Sequence, residues 1–133
     1  MTKREIEDNV LLQKIEDMML YAFPAVDKMK RPERGYGGTG TAIRIAMITM
    51  GERAVDAKRA RMPKSRLKAL DDIDAEISRL KFLLKYALRA ELLSFKQYDQ
   101  ISEKLDECGK ILGGWIQKVI ESEEYKKETT RKR

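Results

Sequence analysis

The chain of 133 residues contains no histidine. That removes the side chain most used for proton transfer near neutral pH and the commonest zinc ligand. Nucleases that depend on a histidine are excluded with it. Cysteine occurs once, as Cys108, so neither an internal disulfide framework nor a Cys/His zinc site can form within one chain. Prolines number three, tryptophan one, and aromatic residues make up 7%. No apolar run approaches the ~18 residues that span a bilayer, so no membrane partner is expected. The opening MTKREIEDNV turns acidic at once and lacks the apolar core of a secretory signal. The expected location is the cytoplasm.

What is present favours helix. Apolar residues make up 42% and charged residues 38%, a balance too apolar for wholesale disorder. The dominant Leu, Ala, Met, Lys, Arg and Glu are strong helix formers. The length suits one domain with one core. Periodicity predicts four helices and no strand, and the fold class expected is all-α, an antiparallel four-helix bundle over residues 1–123. The first helix runs from about Lys3 to Met29, with Ile6, Val10, Ile15, Met19, Ala22 and Val26 on its stripe. Pro24 is expected to kink or divide it. A glycine-rich loop follows, KRPERGYGGTG from Lys30 to Gly40. The second helix is expected from about Thr41 to Arg61 and the third from about Arg66 to Leu92. The fourth opens at Ser94, which has capping-box spacing to Gln97, and continues to about Glu123. The tail EYKKETTRKR, residues 124–133, has almost no apolar content and is expected to fray.

The fourth helix carries Tyr98, Ile101, Leu105, Cys108, Leu112, Trp115 and Val119 at alternating steps of three and four, a heptad seam. Beside it runs a line through Gly109, Gly113, Ile116 and Ile120. The segment GKILGGWI, from Gly109 to Ile116, holds three of the eight glycines and the only tryptophan. Each glycine in a helix interior costs about 0.8–1 kcal/mol relative to alanine. Gly109, Gly113, Gly114 and Trp115 are therefore assigned to close helix packing or to an oligomer interface, and Gly113→Leu is expected to disturb that contact. Whether the contact lies within one chain or between chains stays open. In the third helix, RLKFLLKYALRAELL is apolar nearly all round, the exceptions being chiefly Lys81, Lys85 and Arg89. A helix of that kind is covered on several sides, which points to a homo-oligomer, with Phe82 and Tyr86 placed on its interface. The basic stripe either lines a repeated binding surface or snorkels to acids on a neighbour.

The net charge is +6, and it is regional. Residues 1–27 carry a net of −3, whereas residues 28–68 set twelve Lys or Arg against Glu33, Glu52 and Asp56, a net of +9. Lys28, Lys30, Arg31 and Arg34 lead into the loop, which contains Tyr36, a candidate for stacking on a base. Lys58, Arg59, Arg61, Lys64, Arg66 and Lys68 surround the turn between the second and third helices. These groups suit phosphate contacts with RNA or DNA; the bland alternative is a solvated surface. The reactive candidates are weak. Cys108 sits on an apolar seam, as a buried inert thiol does. Asp71, Asp72, Asp74 and Glu76 do not share one helix face and read as a solvated acidic face. GYGGTGT lacks the Lys-Ser/Thr ending of a phosphate loop and any preceding strand. No catalytic residue, metal or cofactor is expected.

GKILGGWIQKV, together with LKFLLKYA, LSFKQYDQI and the Pro32-Glu33-Arg34 step, resembles the accessory variability determinant (Avd) proteins of diversity-generating retroelements. That family is itself similar to four-helix proteins encoded in intervening sequences of bacterial ribosomal RNA genes. The likeness spans roughly residues 10 to 120; the loop GYGGTG is richer in glycine than the family pattern. The resemblance implies a four-helix protomer assembled into a barrel-like pentamer with a basic surface and no catalysis of its own. It further implies binding to the retroelement reverse transcriptase and to nucleic acid such as the template RNA, in support of mutagenic copying. Lys81 and Lys85 occupy the family's paired basic positions, and the resemblance makes them partner-binding residues. The other cations are assigned from charge clustering alone. The competing reading is a structural helical oligomer that recognises only protein.

Overall fold

Apolar side chains at three- and four-residue steps make one buried stripe on each long helix, and four such stripes close around one axis. The computed structural model describes residues 3–131, with side chains over 10–130. Its helices are α1 (Lys3–Asp27), α2 (Arg31–Arg34), α3 (Thr39–Arg59), α4 (Pro63–Arg89), α5 (Phe95–Glu121) and α6 (Glu123–Arg131); no strand occurs among the described residues. α3 packs on α4, α4 on α5, α5 on α1 and α1 on α3. Short connections make neighbouring long helices antiparallel, so the four form a bundle with α1 diagonal to α4. The core takes Leu11, Ile15 and Met18 from α1, Ile43, Met47 and Met50 from α3, Leu70, Ile73, Leu80 and Leu84 from α4, and Ile101 and Leu105 from α5. Each such Leu or Ile stabilises the fold by ~1.5–3 kcal/mol. Ile6, counted on the first stripe, lies outside the described side chains.

α5 follows its heptad pattern. Ile101, Leu105, Cys108, Leu112, Trp115 and Val119 are all buried. The capping box forms: Gln97 N donates to Ser94 Oγ at 3.1 Å and Ser94 N donates to Gln97 Oε1 at 2.9 Å. Pro24 does not divide α1. The ring deprives the Leu20 carbonyl of its helical donor, but both residues are exposed, so water can serve that carbonyl. α4 ends earlier than expected because Glu91 adopts a left-handed φ of 61°. Leu92 N donates to the Ala87 carbonyl and Glu91 N to that of Leu88, the paired bonds of a Schellman turn.

The glycines that need their missing side chain are not those on α5. Among the described residues a Cβ at Gly109, Gly113 or Gly114 would meet nothing within 4 Å, and Gly113 and Gly114 are exposed. Among the described residues they make no close contact with another helix, which leaves the oligomer interface as the open alternative; of the four residues assigned together, only Trp115 is buried. The close approach is in the loop before α3. A Cβ at Gly38 would lie 2.5 Å from the Glu33 backbone, and one at Gly40 would lie 2.7 Å from the Glu33 carbonyl oxygen and 2.9 Å from Val26 Cγ1. Gly37 supplies the turn with φ +79°. The Glu33 carboxylate accepts from Thr39 N at 2.9 Å, and hydrogen bonding from Thr39 holds that carboxyl below its ordinary pKa. Thr41 Oγ1 donates to the Gly35 carbonyl at 2.7 Å. The stretch read as a simple loop is thus a folded corner containing α2.

Arg66 also departs from expectation. It is 5% exposed. Its Nε donates to the Ala57 carbonyl at 3.2 Å and its Nη2 to the Ala60 carbonyl at 2.6 Å. These are orphan acceptors at the end of α3, where a cation also opposes the helix dipole. Arg66 is a clamp between α3 and α4 rather than a surface cation. The tail expected to fray is helical through α6. Tyr125 N donates to Ser122 Oγ at 3.1 Å, and Glu128 Oε1 accepts from Lys64 N at 2.8 Å, which ties α6 to the first turn of α4. Lys132 and Arg133, counted in that tail, lie outside the described residues.

Two outcomes are expected in urea denaturation. Gly40→Ala lowers stability by about 1–3 kcal/mol through overpacking, whereas Gly113→Ala raises it by about 0.8–1 kcal/mol through helix propensity. A drop in stability at Gly113 instead would show that a second copy covers that face. Arg66→Ala lowers stability by about 1.5–3 kcal/mol, the scale of a hydrogen bond to a charged group, and leaves polyanion binding at the parent level in a salt titration.

Candidate nucleic-acid interface

The core stripe of α4 decides what its other face presents. Leu80, Leu84 and Ala87 are buried, and at ~100° per residue that turns Lys81, Phe82, Lys85, Tyr86 and Arg89 outward. All five are exposed. Residues 77–90 contain no Asp or Glu. Arg79 bonds Glu76, but among the described residues no ion pair engages Lys81, Lys85 or Arg89. Phe82 is 72% and Tyr86 50% exposed. With Lys85, Arg89 and Ala90 they line an open groove of ≈ 510 Å³. The periodicity that placed Leu80 and Leu84 inside also places these two rings outside.

The basic residues divide between the two ends of the bundle. α1 ends, α3 begins and α4 ends at one end, which gathers Arg31 and Arg34 of α2 with Lys85 and Arg89. Arg31 and Arg34 are exposed, and Arg34 Nη1 donates to the Asp27 carbonyl at 3.5 Å. The turn between α3 and α4 lies at the other end, about 30 Å away at ~1.5 Å per residue of α3. Arg59 and Arg61 are exposed there, as is Lys58, while Lys64 is half-buried beneath α6. Lys68 reaches Asp72 at 4.0 Å. The +9 stretch is therefore not one patch.

A second surface is apolar. Ile45, Ile48 and Val55 on the outer face of α3, and Leu20 on α1, are all exposed. Between α1 and α3 lies a groove of ≈ 440 Å³ whose walls include Met19, Leu20, Phe23 and Pro24. Arg44 closes one side, 4.2 Å over the Phe23 ring and 3.2 Å from Asp27 Oδ1.

Among the described residues no three acidic, cysteine or histidine side chains come together as a metal site, and no helix is long and apolar enough to cross a membrane. Cys108 is fully buried, and burial pushes its thiol up to about 11.

Fold and surface together define a small all-α protein of the four-helix class. The sequence matches the family model described as bAvd-like over residues 9–119, and the chain belongs to that family, the accessory variability determinant (Avd) proteins. A solved structure similar to it is a protein of unknown function from the S23 ribosomal protein family of Bacteroides thetaiotaomicron. It aligns with TM-score 0.75 at 18% identity, over 84% of this chain and 98% of that one, a likeness of fold. No curated protein matches the chain.

With its pKa at about 11, Cys108 is almost wholly thiol at neutral pH, and only the thiolate reacts. Ellman's reagent at pH 8 is expected to label it slowly in the native protein and rapidly in denaturant. Fast native labelling would contradict its burial.

Proposed function

We propose that this chain is a non-catalytic accessory protein of a diversity-generating retroelement. In this reading it acts in the cytoplasm as a homo-oligomer, a pentamer by family likeness. It binds the reverse transcriptase and nucleic acid, template RNA or DNA, through its basic surface and so supports mutagenic copying. Membership of the bAvd-like family supports the retroelement role. The observation that carries the binding role is the acid-free end of α4, where Lys81, Lys85 and Arg89 stand exposed without ion-pair partners among the described residues. Cations in that state release counterions when a phosphate backbone arrives, which gives affinity without sequence preference. They sit on a packed helix, so binding orders little that was not ordered before. Assembly into an oligomer repeats the patch and multiplies a weak contact.

A second reading, a helical oligomer that recognises only protein, draws on the exposed Ile45, Ile48, Val55 and Leu20. Exposed apolar patches mark protein contacts. The two readings differ in salt dependence, since phosphate binding weakens steeply with salt.

Lys81→Ala with Lys85→Ala is expected to weaken capture of both reverse transcriptase and template RNA. The log–log salt slope for RNA should flatten by about 0.7–0.9 for each phosphate that the variant no longer neutralises. Light scattering should give parent and variant the same mass, near five times 15.4 kDa. Parent-like binding would move the interface off α4, and a monomer at low and high salt would remove the pentamer.

A further inference from the structure

We propose that the aromatic rings at this end of the bundle form a stacking platform, so that the surface takes unpaired nucleic acid in preference to duplex. The proposal rests on the nucleic-acid reading above and names the form of ligand. The exposed rings are Tyr36, Phe82, Tyr86 and Phe95, and all four lie toward the same end. Tyr36 is in the corner before α3, Phe82 and Tyr86 are in the last turns of α4, and Phe95 opens α5. The other basic end, around Arg59 and Arg61, has no exposed ring among the described residues. Charge is thus divided between two ends, and exposed aromatic surface is confined to one.

The chemistry of the groove favours a strand over a protein. Phe82 and Tyr86 stand four residues apart on one face, neighbours by helical geometry, and share the groove with Lys85 and Arg89. Protein interfaces are depleted of lysine at their centres, because cations buried without partners carry a heavy desolvation cost. Here the cations alternate with the rings and no acid falls within residues 77–90. An unpaired strand supplies both complements at once: phosphates for Lys81, Lys85 and Arg89, and exposed base faces for the rings. Successive bases stacking on aromatic side chains along a cationic groove is how single strands are held without sequence preference. In a duplex the base faces are already covered by one another, so only the cations contribute. Tyr36 and Phe95 lie outside the groove, toward the same end.

The test measures fluorescence anisotropy of the full-length protein with labelled oligouridylate, oligothymidylate and a mixed-sequence duplex, each over a salt series. Phe82→Ala with Tyr86→Ala is expected to weaken both single strands by about 5- to 150-fold per base unstacked, with duplex affinity and salt slope unchanged. Phe82→Leu with Tyr86→Leu, which keeps apolar bulk but no ring, should abolish the same preference and covers any folding defect of the alanine pair. Lys85→Ala with Arg89→Ala should weaken strands and duplex alike and flatten both slopes. Parent-like single-strand affinity in both ring variants, beside weakened binding in the cation variant, would overturn stacking and leave the nucleic-acid reading intact. Equal weakening of strand and duplex in the ring variants would also overturn it. A ring variant that changes only the mass in light scattering would assign the rings to an interface between copies. A parent protein that binds none of the three probes would overturn both readings.

Discussion

The rotation of α4 about its own axis is the constraint on which the surface depends. Leu70, Ile73, Ile77, Leu80, Leu84 and Ala87 are buried together, and no other phase of the helix buries as much aliphatic surface. A turn of one residue, ~100°, would bring Lys81 and Lys85 toward the axis and expel Leu80 and Leu84. Burying unpaired lysines would cost several kcal/mol each, so the phase is fixed from both sides. The ends are fixed by different means. Arg66 ties the start of α4 to the last carbonyls of α3, and Glu91 turns the chain sharply into the capping box of α5. A helix locked in phase and at both ends presents its outward side chains from a rigid base.

Antiparallel topology then redistributes charge that the linear sequence had grouped. Arg31, Arg34, Arg59 and Arg61 fall within one basic stretch, but α3 separates the first pair from the second. The same topology folds Lys81–Arg89, far along the chain, back toward Arg31 and Arg34. Regional net charge therefore identifies that cations are plentiful and says little about which of them act together. Burial removes one further member, since Arg66 is drawn inside to satisfy the carbonyl end of α3.

The four-helix architecture, the α5 seam and the Ser94–Gln97 box were legible in the residues because each depends on local spacing. The role of the glycines was not. A glycine lowers helix propensity by the same amount whether or not a neighbour presses on it, so Gly113 and Gly114 signalled a contact that the described residues of this chain do not make. Gly38 and Gly40 looked like ordinary loop residues, and the path of α2 across the start of α3, with Val26 of α1 against Gly40, makes them necessary. α6 escaped notice for a related reason: its hold on the bundle is a carboxylate on the α4 amide, a contact between residues 64 apart that leaves no periodic trace. Phe82 and Tyr86, assigned to helix packing or an oligomer interface, stand exposed on the outer face of α4 within this chain.

The apolar and cationic surfaces need not compete for one partner. In a four-helix bundle the outer faces of adjacent helices point in directions about a quarter-turn apart, so the Ile45, Ile48 and Val55 face of α3 and the ring-bearing end of α4 are oriented separately. A homo-oligomer closed through the α3 face would cover the apolar stripe and leave the end of α4 open once per subunit. Such an arrangement also accounts for composition. The α3 stripe would be withdrawn from water only on such assembly, whereas the rings of α4 are flanked by cations, unpaired among the described residues, that assembly through the α3 face would leave in water. The distinction between the two surfaces is thus one of their neighbours: isoleucine and valine in one case, lysine and arginine in the other.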